Sequence, residues 1–229
     1  GNIKARKVAE EIISLDPSNA AGYGLLAAVE YFDVWLGLSK SPKESLARAI
    51  QLAKKCIAIE DNPWAHRTLA HCYVLMRKHE AAIAEAEKAL ELHPNSADSH
   101  ATLAYMLMFA DRPQDALPLI ERAIRLNPYP PEWYFRCLAI TYRSLGQYEE
   151  ALAAAKKGVH VQPNSLFAHT ILATCYSLLG REEEARAEAA IILRISPKFS
   201  LEYARKTWPF KNQAYKELVI GALRKAGLK

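Results

Sequence analysis

Helix breakers are scarce in this sequence. It holds 9 glycines and 12 prolines in 229 residues, which leaves long stretches free for helices joined by short turns. Runs of about 18 or more apolar residues are missing, so no segment is expected to span a bilayer. The opening residues Gly1-Asn2-Ile3-Lys4-Ala5-Arg6 lack the apolar stretch of a signal peptide. Cys56, Cys72, Cys137 and Cys175 form no C-x-x-C pair and no zinc-ligand spacing with histidine, so no metal is expected. Dispersed thiols suit a reducing compartment, and a cytoplasmic location is expected. G-x-G-x-x-G and the P-loop pattern are also absent. No cofactor is expected.

The chain is 51% hydrophobic and 24% charged, enough to bury a core. Its net charge of +5 is unevenly placed. From residue 198 to 229 eight basic residues stand against Glu202 and Glu217, a net +6, while the rest carries −1.

A fixed period organises most of the length. Pro94, Pro128, Pro163 and Pro197 are spaced 34, 35 and 34 apart, and each closes a helix-like segment such as Ala89-Leu90-Glu91-Leu92-His93. Pro17 closes the matching segment Ile12-Ile13-Ser14-Leu15-Asp16. Small residues recur in step as Ala82, Ala116, Ala151 and Ala185. Ala86, Ile120, Ala155 and Ala189 follow four residues later, then Ala89, Ala123, Gly158 and Ile192. Ahead of them line up Leu69-Ala70, Leu103-Ala104, Leu138-Ala139 and Leu172-Ala173, followed by Tyr73, Leu107, Tyr142 and Tyr176. Spacings of three and four mark two amphipathic helices per unit. Alanine columns let paired helices approach closely, proline ends the second helix, and Gly146 and Gly180 suit the turn after the first.

These columns resemble the tetratricopeptide repeat, most clearly over residues 135–163 with Leu138-Ala139, Tyr142, Gly146, Tyr148, Ala151 and Pro163. The resemblance implies an all-α fold, a right-handed superhelical solenoid of antiparallel helix pairs, and a function in partner binding. Residues 1–19 read as the second helix of a preceding repeat, so the chain is expected to be the C-terminal part of a longer protein. Residues 20–62 form an atypical repeat with an enlarged helix pair. Repeats of regular length follow at 63–96, 97–131, 132–165 and 166–199, and residues 200–229 are expected to be capping helices. There the aromatic residues Tyr203, Trp208, Phe210 and Tyr215 are read as sealing the end of the stack.

The tail also resembles that of repeat regions attached to bacterial class III adenylate/guanylate cyclases, through Phe199-Ser200-Leu201-Glu202, Pro209-Phe210-Lys211-Asn212 and Gly-Ala-Leu-Arg-Lys-Ala-Gly-Leu at 221–228. Related tails follow winged-helix regulators. The resemblance implies signal transduction, with a catalytic or DNA-binding domain upstream and no enzyme within these residues.

Candidate sites follow from the same register. His66, His100 and His169 share one column with Tyr23 and Phe135, which makes them packing residues, and Cys72 and Cys175 share another. Glu149-Glu150 and Glu182-Glu183-Glu184 open second helices, where they complement the helix dipole. By the family's geometry, the first helices turn one side to the hollow of the superhelix. That side is expected to carry Tyr31, Phe32, Trp64, Arg67, His71, Asp98, Tyr105, Met108, Phe109, Trp133, Arg136, Arg143, Phe167, Thr170 and Thr174. Exposed aromatic and arginine residues there would serve as binding hot spots; the other reading is packing against neighbouring helices. A clamp for a peptide's C-terminal carboxylate is not expected, because the family's Asn and Lys columns hold Ala28, Thr68, Trp133 and Cys137. The partner expected is a protein or peptide, the upstream domain of the same chain included, and a homodimer is left open. Nucleic acid is the alternative, carried by the basic tail.

Overall fold

A computed structural model gives the fold. It describes residues 2–229, so Gly1, which opens the first expected segment, lies outside it. The described residues form thirteen helices and no strand. The chain divides into two compact units, Gly1–Thr102 and Leu103–Lys229. The first holds α1 (Asn2–Leu15), α2 (Ala20–Trp35), α3 (Pro42–Ile59), α4 (Pro63–Leu75) and α5 (His79–Leu92). The boundary falls inside α6 (Ala97–Phe109). The second unit continues with α7 (Pro113–Leu126), α8 (Glu132–Ser144), α9 (Tyr148–Val161), α10 (Leu166–Leu178) and α11 (Glu182–Ile195). It ends with α12 (Leu201–Thr207) and α13 (Gln213–Lys225). None of the described helices is long and apolar enough to cross a membrane.

Each pair is built on its small-residue columns. Ala82, Ala86 and Ala89 of α5 are fully buried, as are Ala116, Ile120 and Ala123 of α7. Ala49, Ala53 and Cys56 hold the same positions in α3. Methyl groups at these crossings bring helix backbones close, and the larger Leu69, Ile171 and Ile192 fill the remaining space. In the first unit α2 packs on α3 and α4 on α5; in the second, α8 packs on α9 and α10 on α11. The pair α2–α3 runs to 16 and 18 residues where α4–α5 has 13 and 14. Docking of α1 on α2 is tight. A Cβ placed on Gly22 would lie 2.8 Å from Ile13 Cγ1 and 3.3 Å from the Ala9 carbonyl oxygen.

The turns repeat atom for atom. After the first helix of each regular-length repeat one residue takes a left-handed conformation: Arg77 (φ 58°), Asp111 (φ 66°), Gly146 (φ 77°) and Gly180 (φ 75°). The next residue then donates its amide back to the helix, from Lys78 to Tyr73, Arg112 to Leu107, Gln147 to Tyr142 and Arg181 to Tyr176, at 2.9 Å in every case. This is the Schellman closure, and it satisfies carbonyls that the helix end leaves open. Two of the four positions thus accept a side chain where glycine would be less strained. Second helices stop two residues before Pro94, Pro128, Pro163 and Pro197, because the residue preceding proline is driven out of the helical region.

All four cysteines are free and buried. Burial pushes the thiols of Cys72 and Cys137 up to about 12 and that of Cys175 to about 11, from an ordinary 9.0. They are core residues, held protonated at neutral pH.

Ala151→Trp should destabilise the second unit by roughly 1–3 kcal/mol through overpacking at a fully buried site. Calorimetry should show a Tm lower by at least ~2 °C, and an unchanged Tm would contradict the register. Ellman's reagent at pH 8 should leave the native protein essentially unlabelled over minutes and titrate all 4 cysteines in guanidinium. Thiol ionisation should also cost stability as pH rises above about 9, since unfolded cysteines release protons that Cys72 and Cys137 retain to about 12.

Candidate partner-binding face

In the first unit, positions 64, 67 and 71 fall on one side of α4, at the three-and-four spacing of a helix face. His71 stacks on Tyr31 of α2, ring centroids 5.1 Å apart and planes at 27°. Tyr31 is itself buried against Phe32 and Trp35. Arg67 reaches the other way and donates to Asp98 of α6 at 2.8 Å. One row of side chains therefore links α2, α4 and α6. Phe32 and Trp64 keep 45% and 40% of their surface exposed, high values for such large apolar groups. With the half-exposed Arg67–Asp98 pair they form an accessible apolar and charged strip. Nearby, Arg6 of α1 binds Glu30 at 2.7 Å and Asp33 at 2.8 Å, which fixes α1 to the end of α2.

The second unit treats the same positions differently. Tyr105, Met108 and Phe109 of α6 are buried, as are Arg136, Arg143, Thr170 and Thr174, while Trp133 and Phe167 are partly covered. Tyr105 packs edge-on against Phe109 at 4.8 Å and Trp133 at 6.5 Å. Its hydroxyl accepts from Arg136 at 3.1 Å, and burial pushes the phenol up to about 12. The Arg136 guanidinium also lies over Phe167, 4.8 Å from the ring centroid, and 3.4 Å from Glu132. A cation held between two rings and a carboxylate is a packing element of considerable strength. Thr174 returns its hydroxyl to the Thr170 carbonyl at 2.6 Å.

What covers this face comes from the chain's own C-terminus. Phe210 sets its ring 4.9 Å from Phe109 and 5.2 Å from Tyr215. Tyr215 accepts from Arg143 at 2.8 Å, and α13 packs on α10. Of the fifteen expected positions, those of the second unit are buried or partly covered. In the first unit Phe32 and Trp64 are exposed, Arg67, His71 and Asp98 are partly exposed, and Tyr31 is buried, a packing residue and not an accessible one. Reading the sequence misses Phe210, Lys211, Asn212 and Tyr215 as members of this face. Their signals are the aromatic residues outside the period, read as sealing the end of the stack, and the tail motif at 209–212, neither of which names the face they cover.

The histidine column takes a structural part. His66 lies between Glu85, 2.6 Å from Nδ1, and Asp61, 2.7 Å from Nε2. His169 bonds Glu188 and the Pro163 carbonyl, and His100 bonds the Ser96 carbonyl. Each histidine ties a first helix to its own surroundings. Among the described residues no group of three or more His, Cys, Asp or Glu is arranged to hold a metal ion.

Comparison with known proteins places these geometries. The chain is 27% identical over 138 residues to the STIP1 homolog of Dictyostelium discoideum, a match covering 60% of this chain and 24% of that relative. It therefore spans about a quarter of that protein's length. Among solved structures, PilW, described as a type IV pilus biogenesis factor, superposes with a TM-score of 0.64 at 19% identity, over 86% of this chain and 90% of that one. YrrB, described as a repeat protein with an unusual peptide-binding site, superposes with a TM-score of 0.52 at 19% identity, over 83% and 93%. At these identities the structural likenesses establish the fold. The tetratricopeptide-repeat model matches residues 67–135 and 138–198, more than half of the chain. With first helices closed by Schellman turns and helix pairs built on alanine columns, the chain belongs to the tetratricopeptide-repeat family.

Proposed function

We propose that the chain is a protein-interaction scaffold that holds a peptide or a partner surface along its first helices. The observation that carries this is the strip of the first unit, where Phe32 and Trp64 stay exposed beside Arg67 and Asp98. Aromatic and arginine side chains in such positions act as anchors, because they bury much surface for few lost rotamers. The peptide-binding site in YrrB's description supports the same reading. No residue of the chain is assigned a catalytic role.

The finer reading is the C-terminal regulatory region of a bacterial adenylate/guanylate cyclase signalling protein, working in the cytoplasm. It rests on the tail motif at 199–202, 209–212 and 221–228, with the four free thiols supporting the compartment. A nucleic-acid-linked regulator is the alternative, motivated by the tail's excess of positive charge. Arg205, however, pairs with Glu217 at 2.8 Å, and Lys216 is buried, so part of that charge is already engaged.

A random-sequence peptide display library panned on the immobilised chain should enrich a common motif. Fluorescence polarisation should then show a loss of affinity of at least about 10-fold in Trp64→Ala and in Arg67→Ala, with Tm nearly unchanged. No enrichment, or equal affinity in all three proteins, would remove the reading. Incubation of the purified chain with ATP or GTP should yield no cyclic nucleotide, and turnover would refute the scaffold assignment.

A further inference from the structure

Residues 208–215 attach to the second unit in the manner of a bound peptide. The backbone leaves α12 at Trp208 (φ −63°, ψ 125°) and runs without regular secondary structure to Asn212, the N-cap of α13. Pro209 restricts the backbone between the two aromatic residues. Phe210 is 5% exposed and packs on Phe109. The Lys211 amide donates at 2.9 Å to the Phe109 carbonyl, one of the acceptors left open at the end of α6. Asn212 Nδ2 donates to both carboxylate oxygens of Asp111 at 3.1 Å, while its Oδ1 caps α13 through the Tyr215 amide. Tyr215 then meets Arg143. A few consecutive residues thus engage α6, the turn after it and α8, all distant in sequence.

The two parts of this C-terminal element are held by different means. Helix α13 is fastened by Val219, Ile220 and Leu223, each fully buried. The segment between the helices has two buried rings, Pro209 and Phe210, one main-chain bond to α6, one exposed amide–carboxylate contact, and the Gln213 side-chain amide on its Phe210 and Lys211 carbonyls. An aromatic anchor, a main-chain donor and a polar rim are what peptide-recognition surfaces use. Segments with so few buried contacts open locally without melting the helices beside them.

We propose that residues 208–212 are an internal ligand of the second unit. The partner taken there in trans is a peptide of the same chemistry, aromatic–proline–aromatic followed by a residue with a free amide and an asparagine. This rests on reading the first helices as a partner-binding face, and it concerns the second unit alone. The contacts set the preferences. Phe109 requires an aromatic at the Phe210 position, its carbonyl forbids proline at the next, and Asp111 calls for a hydrogen-bond donor side chain after that. A partner must displace the internal segment, so the face is autoinhibited.

The test uses a labelled synthetic peptide with the sequence of residues 206–216, titrated against the intact chain and Phe210→Ala. Affinity should be at least about 10-fold higher for the variant, since the open state is no longer suppressed. A peptide with proline at the Lys211 position should not bind. Hydrogen exchange on the unaltered chain gives a second reading that does not depend on the variant folding. The Lys211 amide should exchange at least about 10-fold faster than those of Val219, Ile220 and Leu223, and faster still with the peptide present. Binding to neither protein, equal binding to both, or Lys211 exchange at the rate of α13 would overturn the proposal. So would a concentration-dependent dimer that exchanges the segment between copies, which would assign the face to a second copy. None of these outcomes touches the Trp64 and Arg67 measurement, so failure here is distinguishable from failure of the scaffold reading.

Discussion

Close approach of paired helices at small side chains is the constraint on which the structure depends. Alanine at positions such as 82, 86 and 89, or 116 and 123, leaves room for one backbone to lie against another. A helix pair made this way is thin, and neither helix can bury its apolar side within the pair alone. Neighbouring pairs must supply the rest, as Leu69 of α4 does by packing with Ala27 and Ala53 of the preceding pair. The Schellman turns follow from the same demand. Only a sharp, fully hydrogen-bonded reversal returns the second helix to the crossing point, and the chain keeps it even where Arg77 and Asp111 must take a left-handed backbone.

With the second helices engaged in crossing, the first helices carry the chemical variety. They hold Tyr31, Trp64, Arg67, Tyr105, Trp133, Arg136 and Arg143, which the repeat does not dictate. Where nothing lies over them, as at Phe32 and Trp64, they leave an unusual amount of apolar surface exposed. Where the C-terminal segment lies over them, the same kinds of residue form a continuous packed set. Tyr105, Phe109, Phe210 and Tyr215 touch in succession, and Arg136 and Arg143 are buried among rings. Arginine tolerates this because its flat, weakly hydrated guanidinium stacks on aromatic faces while bonding a hydroxyl or carboxylate at its edge.

The helix pairs were legible because their cause is local. Proline spacing, alanine columns and turn glycines each act within a few residues, so the period at 94, 128, 163 and 197 carries the architecture directly. The column logic also explained His66 and His169, whose partners Glu85 and Glu188 lie within the same pair. The face was legible only as a set of positions. Trp64 and Arg136 look equivalent as residues on first helices, yet one is open and the other buried.

By itself, then, the sequence determined the helix pairs, their turns, the small-residue crossings and the burial of the thiols. Short-range sterics and apolar spacing suffice for these. Tertiary structure alone decided which first-helix residues remain accessible, since that depends on where Phe210, Asn212 and Tyr215 come to rest. Their contacts with Phe109, Asp111 and Arg143 span up to 101 residues of chain. No periodicity encodes such contacts, because they are set by the folded surface that receives the segment.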